Sequence, residues 1–127
     1  MDTQLKLPPP RFTLSEAEWE VMRDAMRVEL IECAKQKRIV TYSELALMLP
    51  VYIHPGSYAF TRLLSQVCVS EEDAGHGLLC ALVVSKATGI PGAGFFRGAA
   101  ERGYDASNPD EYWRAQLEQV FAYWGVE

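Results

Sequence analysis

The stretch Thr41-Tyr42-Ser43-Glu44-Leu45-Ala46-Leu47-Met48-Leu49-Pro50 decides how the centre of this chain folds. A threonine followed three residues later by a glutamate is the capping-box pattern, in which each side chain binds a backbone N–H of the other residue. Leu45, Met48 and Leu49 then supply an apolar face, so the stretch predicts a short helix. Pro50 ends that helix, because proline lacks the backbone N–H that the helix needs.

A second helix is predicted after a loop that contains the turn sequence His54-Pro55-Gly56. Apolar side chains recur with helical spacing at positions 60, 63, 64, 67 and 68. The pattern predicts an amphipathic helix over residues 57–69 whose other face is polar. Two helices joined by a loop are typical of a helix-turn-helix, and the second helix of such a unit can enter the major groove of DNA.

The chain beyond this helix is predicted to form a polar loop, a strand and a glycine-rich turn. Glu71-Glu72-Asp73 and the glycines after it favour the loop. Residues 78–84 are a continuous apolar run with the length of a buried strand. Residues 85–94 contain three glycines and one proline. We interpret that segment as a wing.

A long helix is predicted on each side of this centre. Thr13-Leu14-Ser15-Glu16-Ala17-Glu18 contains two overlapping capping-box patterns, and helical spacing of apolar residues continues to about Lys37. Near the other end, Ser107-Asn108-Pro109-Asp110-Glu111 combines a capping side chain, a first-turn proline and two carboxylates. It predicts a last helix with an apolar face that reaches Trp124.

We therefore expect an α+β fold with a winged-helix-like centre, flanking N- and C-terminal helices and a small β-sheet. Residues 12–127 are expected to form a single domain, because the chain has 127 residues, the usual size of one domain. Residues 1–11 include Pro8-Pro9-Pro10, which favours an extended backbone, and we expect them to form a flexible N-terminal arm.

Composition and cysteine usage favour a cytoplasmic protein. Hydrophobic residues make up 49% and charged residues 23%, which is ordinary for a globular protein. There is no apolar run of about 18 residues, and Met1-Asp2-Thr3-Gln4-Leu5-Lys6 lacks the pattern of a signal peptide. No membrane contact is expected. The three cysteines, Cys33, Cys68 and Cys80, are odd in number and unclustered, so we expect reduced thiols.

The net charge of −5 lies entirely in the second half of the chain. Residues 1–65 carry 8 acidic and 8 basic side chains, and residues 66–127 carry 9 acidic and 4 basic ones. Duplex DNA is a polyanion that Lys and Arg neutralise, so a DNA-facing surface is expected in the first half. The acidic half favours an alternative, a protein-binding module that inhibits or regulates a basic partner. The residues that would form this acidic surface are Tyr104, Asp105, Asp110, Glu111, Tyr112 and Glu118.

About half of the chain resembles the DNA-binding domain of the alkylguanine-DNA alkyltransferases and their non-catalytic alkyltransferase-like relatives. The first matching segment is Arg38-Ile39-Val40-Thr41-Tyr42-Ser43-Glu44-Leu45-Ala46, and Ala59-Phe60-Thr61-Arg62-Leu63-Leu64 is similar to the recognition helix of that family. Leu79-Cys80-Ala81-Leu82-Val83-Val84 falls where the family has Pro-Cys-His-Arg and two valines. Gly89, Gly92 and Gly94 match its glycine-rich wing. The resemblance implies a winged-helix fold that binds duplex DNA.

The chain departs from this family at the residues that would carry its chemistry. Cys80 matches the position of the alkyl-accepting cysteine, but Ala81 and Leu82 replace the histidine and arginine that follow it. A thiol without a neighbouring base or cation is a poor nucleophile, so we expect no alkyl transfer and no enzyme. Tyr58 replaces the family's intercalating arginine. We interpret Tyr58 as an anchor between loop and helix, with stacking on bases as the alternative.

No other chemistry is predicted. His54 and His76 lack paired cysteines at zinc-ligand spacing, and the segment around Gly92 lacks the Gly-Lys-Ser/Thr ending of a phosphate-binding loop. We expect no catalytic residue, cofactor or metal. The residues predicted to contact DNA, referred to below as the predicted contact residues, are Thr41, Tyr42, Ser57, Tyr58, Thr61, Arg62, Ser65 and Lys86.

Overall fold

A computed structural model of the chain describes residues 15–125. The arm predicted for residues 1–11 lies outside this range. The first helix, α1, spans Glu16–Lys35 and begins with the capping box of Ser15 and Glu18. The side chain of Ser15 accepts the N–H of Glu18 at 3.1 Å, and Glu18 accepts the N–H of Ser15 at 2.9 Å. The helix ends two residues before the predicted position because Lys37 adopts a positive φ of 54°.

The quoted central stretch forms a short strand and a short helix. Strand β1 is Val40–Thr41, and helix α2 is Tyr42–Met48. The capping box is confirmed: the Oγ1 of Thr41 accepts the N–H of Glu44 at 3.1 Å. Leu49 has an extended backbone, so α2 ends immediately before Pro50, as expected for a residue that precedes proline.

The second central helix, α3, spans Tyr58–Asp73 and is four residues longer than predicted at its C-terminal end. The polar loop predicted at Glu71-Glu72-Asp73 is therefore wrong, because these residues form the last turn of α3. The physical reason is that Glu71 does not face solvent. Its side chain is buried and paired with a cation from α1, which makes a charged residue compatible with the inner face of the helix.

The strand predicted for residues 78–84 is also mostly wrong. Leu79–Leu82 forms a 3-10 turn, and only Val83–Val84 forms a strand, β2. The two strands pair in parallel, with Val40 opposite Val83 and Thr41 opposite Val84. A short, continuous apolar run indicates that a segment is buried, but a buried strand and a buried helical turn both show it. Periodicity therefore does not distinguish the two structures. Residues 85–90 form a turn in which the N–H of Ser85 donates to the oxygen of Ile90 at 2.8 Å.

Two further helices complete the fold. Helix α4 is Ala93–Glu101, and α5 is Pro109–Trp124, capped by the side chain of Asn108 as predicted. Helix α1 packs against α3, α5 and the 3-10 turn, and the main hydrophobic core lies between them. A smaller cluster of Ala81, Val84 and Trp113 joins β2 and the 3-10 turn to α5. The architecture is helical with a two-stranded parallel sheet, consistent with an α+β class.

The cysteine prediction is wrong for two of the three residues. Cys68 on α3 and Cys80 on the 3-10 turn form a disulfide, with their Cα atoms 5.5 Å apart. Cys33 is free and buried on the inner face of α1. The sequence places Cys68 and Cys80 12 residues apart, and only the return of the chain to α3 brings them together. Among residues 15–125, no helix combines the length and apolarity that a bilayer span requires.

Candidate functional site

Two adjoining cavities open beside α3. The larger has a volume of about 430 Å³ and lies between α3 and α4. The smaller has a volume of about 260 Å³ and lies between the start of α2, the loop at Gly56 and the turn at Lys86. Tyr42 and Pro55 line both cavities. The region that contains these cavities and the first two turns of α3 is called the cavity face below.

Five of the eight predicted contact residues line these cavities. Thr61 and Ser65 line the larger cavity, Thr41 and Lys86 line the smaller one, and Tyr42 lines both. These residues come from β1, α2, α3 and the turn after β2, and the parallel pairing of β1 with β2 holds the start of α2 beside that turn.

The remaining three, Ser57, Tyr58 and Arg62, lie at the N-terminal end of α3. Tyr58 is 75% exposed, and its one hydrogen-bonded side-chain partner among residues 15–125 is on α3 rather than in the preceding loop, so the structure gives its ring no anchoring contact between loop and helix. Its hydroxyl instead accepts a hydrogen bond from Arg62 at 3.2 Å. The Arg62 guanidinium also lies 5.9 Å from the ring centroid of Trp19. This exposed pair is held in place before any ligand arrives.

Several predicted contact residues already use their polar atoms within the protein. Thr41 caps α2, and the hydroxyl of Ser57 caps α3 by accepting the N–H of Phe60 at 3.2 Å. The hydroxyl of Thr61 donates to the backbone oxygen of Ser57 at 3.1 Å. These three side chains therefore shape the site. The exposed side chains of Ser65 and Lys86 have no hydrogen-bond or ion-pair partner among residues 15–125.

The sequence analysis missed two arginines on α4. Arg97 and Arg102 line the larger cavity, although both belong to the acidic half of the chain. Arg102 pairs with Glu72 of α3 at 3.2 Å, whereas Arg97 has no carboxylate partner within residues 15–125. Sequence analysis did not single out these arginines because the summed charge of residues 66–127 is negative. One sequence signal could have identified them. Arg97 follows Gly94 by three residues and Arg102 follows Gly98 by four, so helical spacing places each arginine on the same face as a glycine, and all four residues line the larger cavity.

The buried carboxylate Glu71 is engaged away from both cavities. Its oxygens lie 2.6 Å from Nε of Arg27 and 2.8 Å from Nδ1 of His76. Burial acts to raise the pKa of the Glu71 carboxyl, but the hydrogen bonds and charges of Arg27 and His76 outweigh burial and lower that pKa overall. The ring of His76 also stacks on Tyr123 at 4.5 Å. This cluster joins α3 to α1 and α5, and it explains His76, for which the sequence suggested no partner.

The acidic surface of the alternative hypothesis is only partly formed. Tyr112 is buried rather than exposed, which corrects its assignment to that surface, and burial raises the pKa of its phenol. Asp110 pairs with Arg114 at 2.8 Å within α5. Tyr104, Asp105, Glu111 and Glu118 are exposed. Three exposed carboxylates and one tyrosine are therefore left for a basic partner.

The part of the chain that the structure describes contains no group of three or more His, Cys, Asp or Glu side chains arranged to hold a metal ion. Cys80 lines the larger cavity, but its sulfur is bonded to Cys68 and is not a thiol. The chain matches no protein-family model, no curated protein and no solved structure.

Proposed function

We propose that this protein is a non-catalytic, DNA-associated or regulatory winged-helix-like protein that binds duplex DNA through the cavity face. The observation that carries the proposal is the gathering of five predicted contact residues around two adjoining cavities, next to the exposed N-terminal turns of α3. In a helix-turn-helix, the first turns of the second helix supply the side chains that reach base edges.

The exposed pair Tyr58 and Arg62 supports this assignment. Arginine is the residue that most often reads guanine in the major groove, and a tyrosine ring can stack on an unpaired base or wedge between base pairs. Both side chains project from the first two turns of α3, and Lys86 lies on the turn across the smaller cavity. In the proposal, α3 enters the groove, and the part of residues 85–94 that precedes α4 acts as the wing against the DNA backbone.

The bonded state of Cys80, the residue at the position of the alkyl-accepting cysteine, supports the non-catalytic part of the proposal. The sulfur of Cys80 is held in a disulfide, and a nucleophilic cysteine must be a thiolate. His54, the histidine nearest the cavities in sequence, uses its Nδ1 to accept the N–H of Gly56 at 2.9 Å.

The charge of the cavity face predicts weak, salt-sensitive binding. Arg62, Lys86 and Arg97 are the cations of the cavity face without a carboxylate partner among residues 15–125, and in the proposed docking Arg62 on α3 and Lys86 on the wing meet phosphates. Each phosphate contact contributes about 0.9 to the slope of the logarithm of the binding constant against the logarithm of salt concentration. Two such contacts give a slope of about −2, far shallower than that of a strongly basic DNA-binding protein.

The test is fluorescence anisotropy of a labelled random-sequence duplex over a salt series. We expect Arg62→Gln and Lys86→Gln each to weaken binding and to reduce the salt slope by about 0.9. Tyr58→Ala should weaken binding, whereas Tyr58→Phe should keep most of it. The matched control is Arg114→Gln, because Arg114 lies on α5, away from both cavities.

A wild-type protein that shows no binding at low salt would refute the DNA proposal. It would leave the acidic protein-binding module as the better hypothesis. Equal losses in Arg114→Gln and Arg62→Gln would also count against the cavity face, because they would show that only the total charge matters.

A further inference from the structure

The Cys68–Cys80 disulfide forms part of the wall of the larger cavity, because both cysteines line it. The two residues differ in accessibility. Cys68 is 4% exposed, whereas Cys80 is only partly buried. In a thiol–disulfide exchange, the sulfur that the attacking thiolate can reach is the one it attacks. Because Cys80 is the more exposed of the two, we expect the attacking thiolate to react at Cys80.

The cavity is also suited to a particular class of thiol. Its volume of about 430 Å³ lies within the range that small-molecule sites in proteins occupy. Arg97 lines it without a carboxylate partner among residues 15–125, while the neighbouring Arg102 is already paired with Glu72 at 3.2 Å. An unpaired guanidinium favours a carboxylate-bearing ligand. It also favours the thiolate form of that ligand, which is the attacking species.

We propose that Cys80 is a modification site at which a small, carboxylate-bearing thiol opens the Cys68–Cys80 disulfide. The incoming thiolate sulfur forms a bond with Sγ of Cys80 as the Cys68–Cys80 bond breaks. The electron pair leaves on Sγ of Cys68, which then takes a proton from water. The product is a mixed disulfide on Cys80 and a free thiol at Cys68. Attack by the Cys68 thiolate on the mixed disulfide reverses the reaction, and no other oxidant or reductant is required.

The packing of α3 against the 3-10 turn does not rest on the disulfide alone, so we expect the reaction to proceed in the native protein. The elements that it joins, α3 and the 3-10 turn, already pack through fully buried side chains of the main core, among them Leu63 and Val67 on one side and Leu79 and Leu82 on the other. The adduct on Cys80 would occupy the cavity that Thr61 and Ser65 also line. This proposal stands on the disulfide and the cavity alone, and it does not require that the protein bind DNA.

The experiment treats the oxidised, native protein with three thiols of similar size: 3-mercaptopropionate, 2-mercaptoethanol and cysteamine. Reactions are quenched with acid, free thiols are alkylated, and intact mass reports opening of the disulfide. Cleavage after Glu71 or Glu72 separates Cys68 from Cys80, so peptide mass identifies the modified cysteine. Cys33 is 1% exposed and serves as an internal control, since it is alkylated only if the protein unfolds.

We expect the first adduct on Cys80, with Cys33 unmodified. The ratio of the rate constants for the acidic and the neutral thiol should fall about threefold in Arg97→Gln, by the loss of one exposed charge pair. Arg114→Gln should leave that ratio unchanged. Comparing ratios between proteins removes the intrinsic differences in reactivity among the thiols. The single-cysteine variants are treated with the symmetrical disulfide of 3-mercaptopropionate. The thiol of Cys80 in Cys68→Ser should form the mixed disulfide faster than the thiol of Cys68 in Cys80→Ser.

Three results would overturn the proposal. The disulfide could fail to form under mild oxidation, it could open only in denaturant, or the first adduct could map to Cys68. A rate ratio that is the same in wild type and Arg97→Gln would refute the preference for acidic thiols. Circular dichroism of the reduced protein checks the premise, because a loss of helix on reduction would mean that the disulfide is structural.

Discussion

The phenol oxygen of Tyr42 accepts a 2.8 Å hydrogen bond from the backbone N–H of Gly92, a residue 50 positions further along the chain. This bond joins the first residue of α2 to the residue that precedes α4. Tyr42 and Gly92 both line the larger cavity, and Tyr42 also lines the smaller one. The phenol therefore forms the partition between the two cavities and fixes where α4 begins.

Tyr42→Phe should lower the free energy of unfolding by about 1 kcal/mol, because it removes this hydrogen bond and leaves a partly buried N–H without a partner. Tyr52→Phe is the matched control, since Tyr52 is 53% exposed; its effect should be within about 0.5 kcal/mol of zero. Urea denaturation followed by circular dichroism measures both. Equal effects of the two substitutions would show that the Tyr42–Gly92 bond contributes no stability.

Thr41→Ala should destabilise the protein by about 1 kcal/mol, because Thr41 caps α2. Thr41→Ser keeps the capping oxygen and should cost much less. The pair also separates capping from ligand contact. If Thr41 supports DNA binding only by capping α2, then the affinity for DNA should fall only in variants that destabilise this helix. Affinity lost in Thr41→Ser at unchanged stability would contradict this.

Stability should depend on pH through Glu71. The pKa of its carboxyl in the folded protein lies below the ordinary value of 4.5. A lowered folded-state pKa contributes stability above the unfolded-state pKa, and this contribution is lost as the pH falls through the folded-state value. Wild type should therefore lose stability below about pH 4.5, more steeply than Glu71→Gln.

At neutral pH, Glu71→Gln should cost about 1–3 kcal/mol, because Arg27 and His76 lose a buried charged partner. The difference between the two proteins should shrink as the pH is lowered. Glu32→Gln is the control, since Glu32 forms an exposed pair with Lys35 at 3.6 Å; its cost should stay below about 0.5 kcal/mol. Thermal melts over a pH series report all three proteins, and a constant gap between wild type and Glu71→Gln would exclude the linkage.

Trp113, which is buried, and Trp124, which is partly buried, should respond differently to replacement by phenylalanine. Nε1 of Trp113 donates to the backbone oxygen of Ala81 at 2.7 Å, in the 3-10 turn. Trp113→Phe should cost about 2–4 kcal/mol, because it leaves a cavity and an unpaired carbonyl. Nε1 of Trp124 is buried without a partner among the described residues, so Trp124→Phe should cost less. Chemical denaturation of both variants decides this, and the reverse order would contradict the prediction.

Local sequence determined the positions where α1, α2 and α5 begin. Ser15, Thr41 and Asn108 cap their helices as their side-chain chemistry predicts, because a cap depends only on residues within three or four positions of one another. The apolar stripes of α1, α3 and α5 were predicted for the same reason, since helical periodicity is a local property. Five of the predicted contact residues also lie together, but a tertiary contact, the pairing of β1 with β2, brings Lys86 to the start of α2.

Only the tertiary structure decided the features that depend on distant parts of the chain. The run at residues 79–82 became a 3-10 turn rather than a strand, and a partner on α5, Trp113, binds that turn. The salt bridge of Arg27 with Glu71 and the disulfide of Cys68 with Cys80 join elements that no sequence spacing relates. The position of Arg97 also became clear only from the tertiary structure. The net charge of residues 66–127 is negative and gives no sign of this arginine, which lines the larger cavity between α3 and α4.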